Sequence, residues 1–301
     1  MKRNRDSAPP IQVTSNANFN MPLSPLSIVD TRPFFRPVSS ALVSLLRGLT
    51  DEQWDRGTVA GAWTVRDVTA HLIDISLRRV SFHRDRLIPP PPPFPITGER
   101  DFVRFINGLN HEWVSATKRL SPAVLVEMFE LASRDLAAFL EALPLDAPAL
   151  FGVSWAGEQS SAGWFDVGRE FTELWHHQMQ IRLAVGAPSL SEPRYLKAVL
   201  DVSLRVLPHA YRDVAAQEGA AVAFEVTGPA GGTWTLKREL DRWTLWHGRP
   251  DRVDGRVSMS DDVAWRLLYN ALPAAQVPTQ IEVEGSSDLA LPFFRARSIV
   301  I

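Results

Sequence analysis

Three residues carry the clearest chemical pattern in this sequence: His71, and Glu173 with His177 four positions on. On a helix that spacing puts the two side chains one turn apart, about 6 Å along the axis. A carboxylate and an imidazole so placed can both bend onto one ion at about 2 Å, as helix-borne Glu/His pairs do in bundle proteins. The plainer alternative is a surface hydrogen bond between i, i+4 neighbours. With His71 at zero on a helical wheel, Val68, Leu72 and Ile75 centre roughly 70° away, while Asp67, Asp74 and Arg78 fall on the other side. His71 therefore sits at the seam between core and polar face. With His177 at zero, Val167, Leu174, Ile181 and Val185 centre about 65° away and Glu173 lies about 40° off on the same flank. His176 lies about 100° round, away from the apolar stripe, so His177 is the better ligand. Glu170 is two turns from His177, about 10 Å, and too far to share an ion with it. Glu170, Asp67 and Asp74 are instead candidates for orienting a ligand histidine through its second ring nitrogen.

Other residues offer less. His83, His111, His209 and His247 have no partner pattern and read as surface or packing residues. Trp54, Trp63 and Trp175 are candidates for lining a cleft, although packing is the commoner role. Arg66, Arg78 and Arg169 could grip a carboxylate bidentately, against the commoner role of solvated surface charge.

The elements that must position these residues follow from patterning. Phe35, Val38, Leu42, Leu45 and Leu46 predict a helix over 31–49. Thr64 with Asp67 predicts a capped start for a second helix, running towards Leu87. Pro89 to Pro93 must be an extended connector, because proline lacks the amide donor that helices and central strands need. Helical patterns follow at 99–120 and, after an expected Ser121 N-cap with Pro122 at the first helical position, to about 143. A long Pro/Gly/Ser-rich loop leads to a helix over 164–185, with Gly186 as its C-cap. These five helices predict an up-down four- or five-helix bundle. A further helix over 192–214 leads into alternating segments at 221–228, 232–240, 242–248 and 255–260. A helix at 261–272, a strand at 280–285 and a last helix at 288–298 complete an α+β unit. The divisions expected are a polar, mobile tail over 1–26, a bundle over 27–188 and an α+β domain over 189–301.

Composition narrows the chemistry. The 301 residues are 45% hydrophobic, enough for two domains with sizeable cores. Thirty-two basic and 34 acidic residues give a formal charge of -2, with no basic stripe to favour nucleic acid or an anionic membrane. No apolar run approaches the ~18 residues of a membrane span, and the basic N-terminus lacks the apolar segment of a secretory signal; a cytoplasmic location is expected. There is no cysteine. Disulfides, thiolate ligands and a cysteine nucleophile are excluded, so a metal must be held by nitrogen and oxygen and any thiol must come from outside.

The stretch GAWTVRDVTAHLIDI (61–75) resembles the first motif of the DinB-type helical bundles, and within them the mycothiol-dependent maleylpyruvate isomerases. REFTELWHHQMQIRLAVG (169–186) is similar to the second motif of that branch. FEVTGPAGGTWTL (224–236), the W-x-L-x-x-G of 243–248 and VSMSDDVAWRLL (257–268) resemble its C-terminal domain, of sterol-carrier-like α+β fold. The resemblance covers nearly the whole chain beyond the tail; the five-proline segment departs from it. It implies that His71, Glu173 and His177 stand in the family's three metal-ligand positions; typical DinB bundles use three histidines, and a glutamate in the middle position favours the isomerase-like branch. It implies a divalent metal, zinc first and nickel second, with an open position for water or thiolate.

The function expected is metal-dependent chemistry of a low-molecular-weight thiol such as mycothiol: isomerisation of, or thiol transfer to, a small electrophile. Two alternatives remain open. One is a zinc-dependent hydrolase on the same site; the other is a non-catalytic small-molecule or lipid-binding protein. The expected partners are the thiol and its substrate, with a homodimer as the further state and with neither nucleic acid nor membrane.

Overall fold

The structure is a computed structural model that describes residues 22–300. Most of the expected tail lies outside the described residues. Its end does not: Ser24–Pro25 forms a short strand, β1, paired with His247 and Trp246 near the other end of the chain.

The helical part contains α1 (Phe35–Arg47), a short α2 (Asp51–Trp54), α3 (Val65–Arg79), α4 (Glu99–Thr117), α5 (Pro122–Glu141) and α6 (Gly163–Val185). Local chemistry explains most of the boundaries. Thr64 caps α3 as its sequence indicated: its hydroxyl accepts from the Asp67 amide, and the Asp67 carboxylate accepts from the Thr64 amide. Thr64→Ala is expected to lower unfolding stability by about 1 kcal/mol, read as a shift in denaturant midpoint. Ser121 caps α5, with Pro122 in the first turn. The second helix does not run on to Leu87; α3 passes at Val80 into a single wide turn ending at Arg84. The proline connector that follows forms no regular element and is exposed from Pro89 to Pro93. The short α2 lies outside the expected helices and carries its own capping box between Thr50 and Gln53.

In the bundle α3 packs on α4, α5 and α6, and α1 packs on α5 and α6. Helix α6 is the centre of the molecule. Sixteen of its 23 residues are buried, because its other side meets α7 (Pro193–Ser203). A helix enclosed on all sides does not show a single apolar stripe. Gly168 allows the α6–α7 approach: a Cβ there would lie 2.9 Å from a Val202 methyl. Gly186 ends α6 with φ +69°, the left-handed conformation that glycine adopts without a Cβ penalty.

The expected helix over 192–214 is broken. After Ser203 the chain makes a 3₁₀ turn and then a short α8 (Leu207–Ala210), where Pro208 has no amide to continue the ladder. Strands β2 (Ala221–Thr227), β3 (Gly232–Glu239), β4 (Arg242–His247) and β5 (Gly255–Ser260) follow. They precede α9 (Asp261–Leu268), a short α10 (Val277–Gln280), β6 (Glu282–Gly285) and α11 (Ser287–Ala290). The sheet order is β1-β4-β3-β2-β5-β6, antiparallel except for the parallel pair β2–β5. The expected last helix over 288–298 shortens to α11 and a 3₁₀ turn over Leu291–Arg295 that contains Pro292. One hydrophobic core runs from the bundle into the sheet region, joined by contacts such as Trp175 against Trp265, ring centroids 5.4 Å apart and perpendicular. Among the described residues no helix is long and apolar enough to cross a membrane.

Candidate metal centre

His71 leaves the middle of α3, and Glu173 and His177 leave adjacent turns of α6. Packing of α3 on α6 brings one ligand atom from each to within 4.8 Å of the others. His177 Nε2 is 3.5 Å from Glu173 Oε2, and the His71 and His177 rings meet edge to face with centroids 4.8 Å apart. Both histidines are buried, at 6% and 7% exposure, while the Glu173 side chain keeps 19%. The carboxylate is thus the most exposed of the three groups.

Trp63 covers the histidines, its ring centroid 5.0 Å from His71 and 6.3 Å from His177. It is held there by a small turn: the Thr58 amide and hydroxyl donate to the Trp63 carbonyl at 2.9 and 2.8 Å. Of the three tryptophans singled out for a cleft, Trp54 and Trp175 are buried in the core, and Trp63 alone borders this cluster.

The electrostatics prepare a ligand state. Burial pushes the His71 imidazole well below its usual pKa; the nearby His177 adds to this and Glu173 opposes it. For Glu173 burial acts upwards, but the neighbouring His177, His176 and His71 outweigh it and hold the carboxyl well below the usual carboxylate range. Near neutral pH the site thus offers a neutral His71 imidazole and an ionised carboxylate, the forms that bind metal. His71 Nδ1 is buried with no hydrogen-bond partner, a costly state for a polar atom unless a ligand meets it. Two imidazole nitrogens and one carboxylate oxygen form a donor set suited to zinc, with a fourth position left open.

The residue that orients His177 is Gln180, which the wheel did not single out. Its Oε1 lies 2.7 Å from His177 Nδ1. An amide oxygen can only accept, so Nδ1 carries the proton and Nε2 faces Glu173. Removing such a partner typically lowers metal affinity 10- to 100-fold. Gln180→Leu is expected to show a drop of about that size in chelator competition; unchanged affinity would rule out the orienting role. None of the three acids considered for this task bonds a site histidine. Asp67 is taken up by the Thr64 cap, Asp74 pairs with Arg78 at 3.0 Å, and Glu170 pairs with Arg169 at 2.7 Å. His176 is not on a polar face: it is 1% exposed, its Nδ1 meets the Thr172 carbonyl at 2.7 Å, and its ring stacks on Tyr269. Arg66 and Arg78 also have internal partners, Arg66 donating to the Leu120 carbonyl and Arg78 to Asn110. Of the remaining histidines, His83 packs beside Phe139 and Phe151, and His247 lies 3.4 Å from Asp201.

Residues 35–182, from the start of α1 almost to the end of α6, match the family of mycothiol maleylpyruvate isomerase N-terminal domains. The bundle is similar to that family. The family match therefore spans all three clustered residues. Two crystal structures, of the mycothiol-dependent maleylpyruvate isomerase and of a histidine-to-alanine mutant of it, resemble the chain beyond the bundle. They align with TM-scores of 0.52 and 0.51 at 14% identity, over 84% of this chain and 91% of theirs. The shared fold thus takes in a helical N-terminal part and a C-terminal sheet region. No curated protein matches the sequence.

Proposed function

We propose that this protein is a metal-dependent enzyme that uses a low-molecular-weight thiol of the mycothiol type to isomerise a small unsaturated acid, as the maleylpyruvate isomerases it resembles are named for doing. The observation that carries this reading is the convergence of His71, Glu173 and His177 from two helices, in a bundle similar to that family. In this reading residues 27–188 form the metal-binding unit and residues 189–301 a sterol-carrier-like unit. Zinc is the ion that best suits the donor set.

When bound, the metal supplies a Lewis acid that lowers the pKa of a thiol and favours its thiolate. The chain's own residues do the rest. His71 and Glu173 present unprotonated donor atoms, so little proton release opposes loading. Gln180 fixes the ring orientation of His177. Trp63 shields the histidine side from water, which strengthens every charge interaction inside. The partly open Glu173 side leaves the approach for thiol and substrate. With no cysteine in the chain, the sulfur nucleophile must be brought by the co-substrate. A thiolate that adds to a cis double bond leaves a single bond free to rotate, and its departure gives the trans product.

The test is turnover of maleylpyruvate by zinc-loaded protein with and without mycothiol. Isomerisation that needs both metal and thiol is expected. Hydrolysis of esters or amides without thiol, and no isomerisation, would overturn the assignment in favour of a hydrolase.

A further inference from the structure

Among the contacts between the sheet region and the metal-binding helix, one lies beside a ligand. Tyr269, the residue that closes α9, lays its ring flat against His176, with centroids 4.4 Å apart and planes at 20°. His176 is the immediate neighbour of His177, and their ring centroids are 4.0 Å apart. Both Tyr269 and His176 are buried, each at 1% exposure. The far side of Tyr269 is anchored: its hydroxyl meets Ser203 Oγ at 2.5 Å, and Ser203 Oγ donates to the Val199 carbonyl at 2.6 Å on α7. A second serine ties in the chain's last segment, Ser298 Oγ donating to the Ser203 carbonyl at 2.8 Å and its amide to the Leu268 carbonyl at 3.0 Å. The tyrosine is thus fixed from α7, α9 and the C-terminal segment, and it presses on the residue between Trp175 and His177.

We propose that Tyr269 is a positioning residue for the metal centre: by clamping His176 it sets the rotation of α6 that aims Glu173 and His177 at His71. The inference rests on the metal reading above. The geometry explains why the two regions share one core. Helix α6 is held along its length by α1, α3 and α7, and a ring stacked on the residue beside His177 is well placed to fix its final rotation at the ligands. Small displacements matter here, since a ligand must keep its donor atom within tenths of an ångström of its place.

The test uses the full chain loaded with Co²⁺, whose visible absorption reports ligand geometry, with affinity read by chelator competition. Tyr269→Phe keeps the stacked ring and should bind within about threefold of wild type with the same spectrum. Tyr269→Leu removes the clamp and should weaken Co²⁺ binding by about tenfold or more, the range found for residues that orient a ligand, and alter the spectrum. Trp265→Leu is the control for packing alone, because Trp265 leans on Trp175 at the same junction and not on His176. It should lower the melting temperature yet leave the spectrum as in wild type. Tyr269→Leu with an unchanged spectrum and affinity, or Trp265→Leu with the same spectral change, would overturn the proposal while the metal site stands. A wild type that takes up no Co²⁺ would overturn the metal reading and this proposal with it.

Discussion

Replacing His177 with alanine is expected to lower zinc affinity by more than about 100-fold, beyond the loss typical of an orienting residue, while the chain stays folded. The reason is geometric. Three donors from two helices give a site with one open position, and two donors from Glu173 and His71 leave it half empty. The variant also leaves Gln180 without its partner, so what organisation remains is loosened. His71→Ala should behave alike, because it removes the only donor from α3. Competition against a chromophoric chelator gives the affinities, and circular dichroism checks the fold. An affinity within threefold of wild type in either variant would show that the residue is not a ligand.

The second large effect concerns stability. Arg79 of α3 and Asp166 of α6 form a two-pronged ion pair with 5% and 2% of their side chains exposed. Arg169 donates to the same carboxylate at 2.9 Å and to Glu170 at 2.7 Å. Removing one member of a buried pair strands the other, at a cost of about 3–5 kcal/mol. Arg79→Met should fall at the lower end, about 3 kcal/mol, since Arg169 still compensates Asp166. Adding Asp166→Leu should recover part of the loss, because replacing both partners with apolar side chains removes the stranded charge.

The same pair gives a pH signature. Burial raises the Asp166 pKa, but Arg169 and Arg79 outweigh it and hold the group below its ordinary value of 3.8. Between the folded and unfolded values the unfolded chain binds more protons, so stability increases with pH there. The contribution is complete above 3.8 and is lost as pH falls below it through the folded value. Wild type should therefore lose more stability than Arg79→Met between pH 5 and pH 3. Denaturant midpoints at the two pH values measure this, and parallel losses would contradict it.

How far the sequence spoke for itself depended on whether a feature was local. The capping pair Thr64 and Asp67, the Ser121–Pro122 start and the Gly186 stop are local, and each sits where the chain signalled. Glu173 and His177 are one helical turn apart whatever surrounds them. His71 could be joined to them through the family motif, and the packing of α3 on α6 then brings the three together. What was missed depends on partners distant in sequence. His176 falls on the polar side of a wheel drawn for a helix with one buried face, yet Tyr269 arrives from 93 residues further on to bury it. Strand β1 has two residues and exists only because β4 offers an edge. Gln180 lies near His177 on the helix surface, but nothing local states that its amide turns towards the imidazole and not towards another group. Asp67, Asp74 and Glu170 had the right positions and closer partners of their own.

The most direct test of the central claim is a titration of Co²⁺-loaded protein with mycothiol, followed by absorption. The account predicts a thiolate-to-cobalt charge-transfer band that grows to saturation in wild type and is absent from His177→Ala. A wild-type protein that binds Co²⁺ but shows no such band at saturating thiol would contradict it, and would leave a metal site whose open position serves some other ligand.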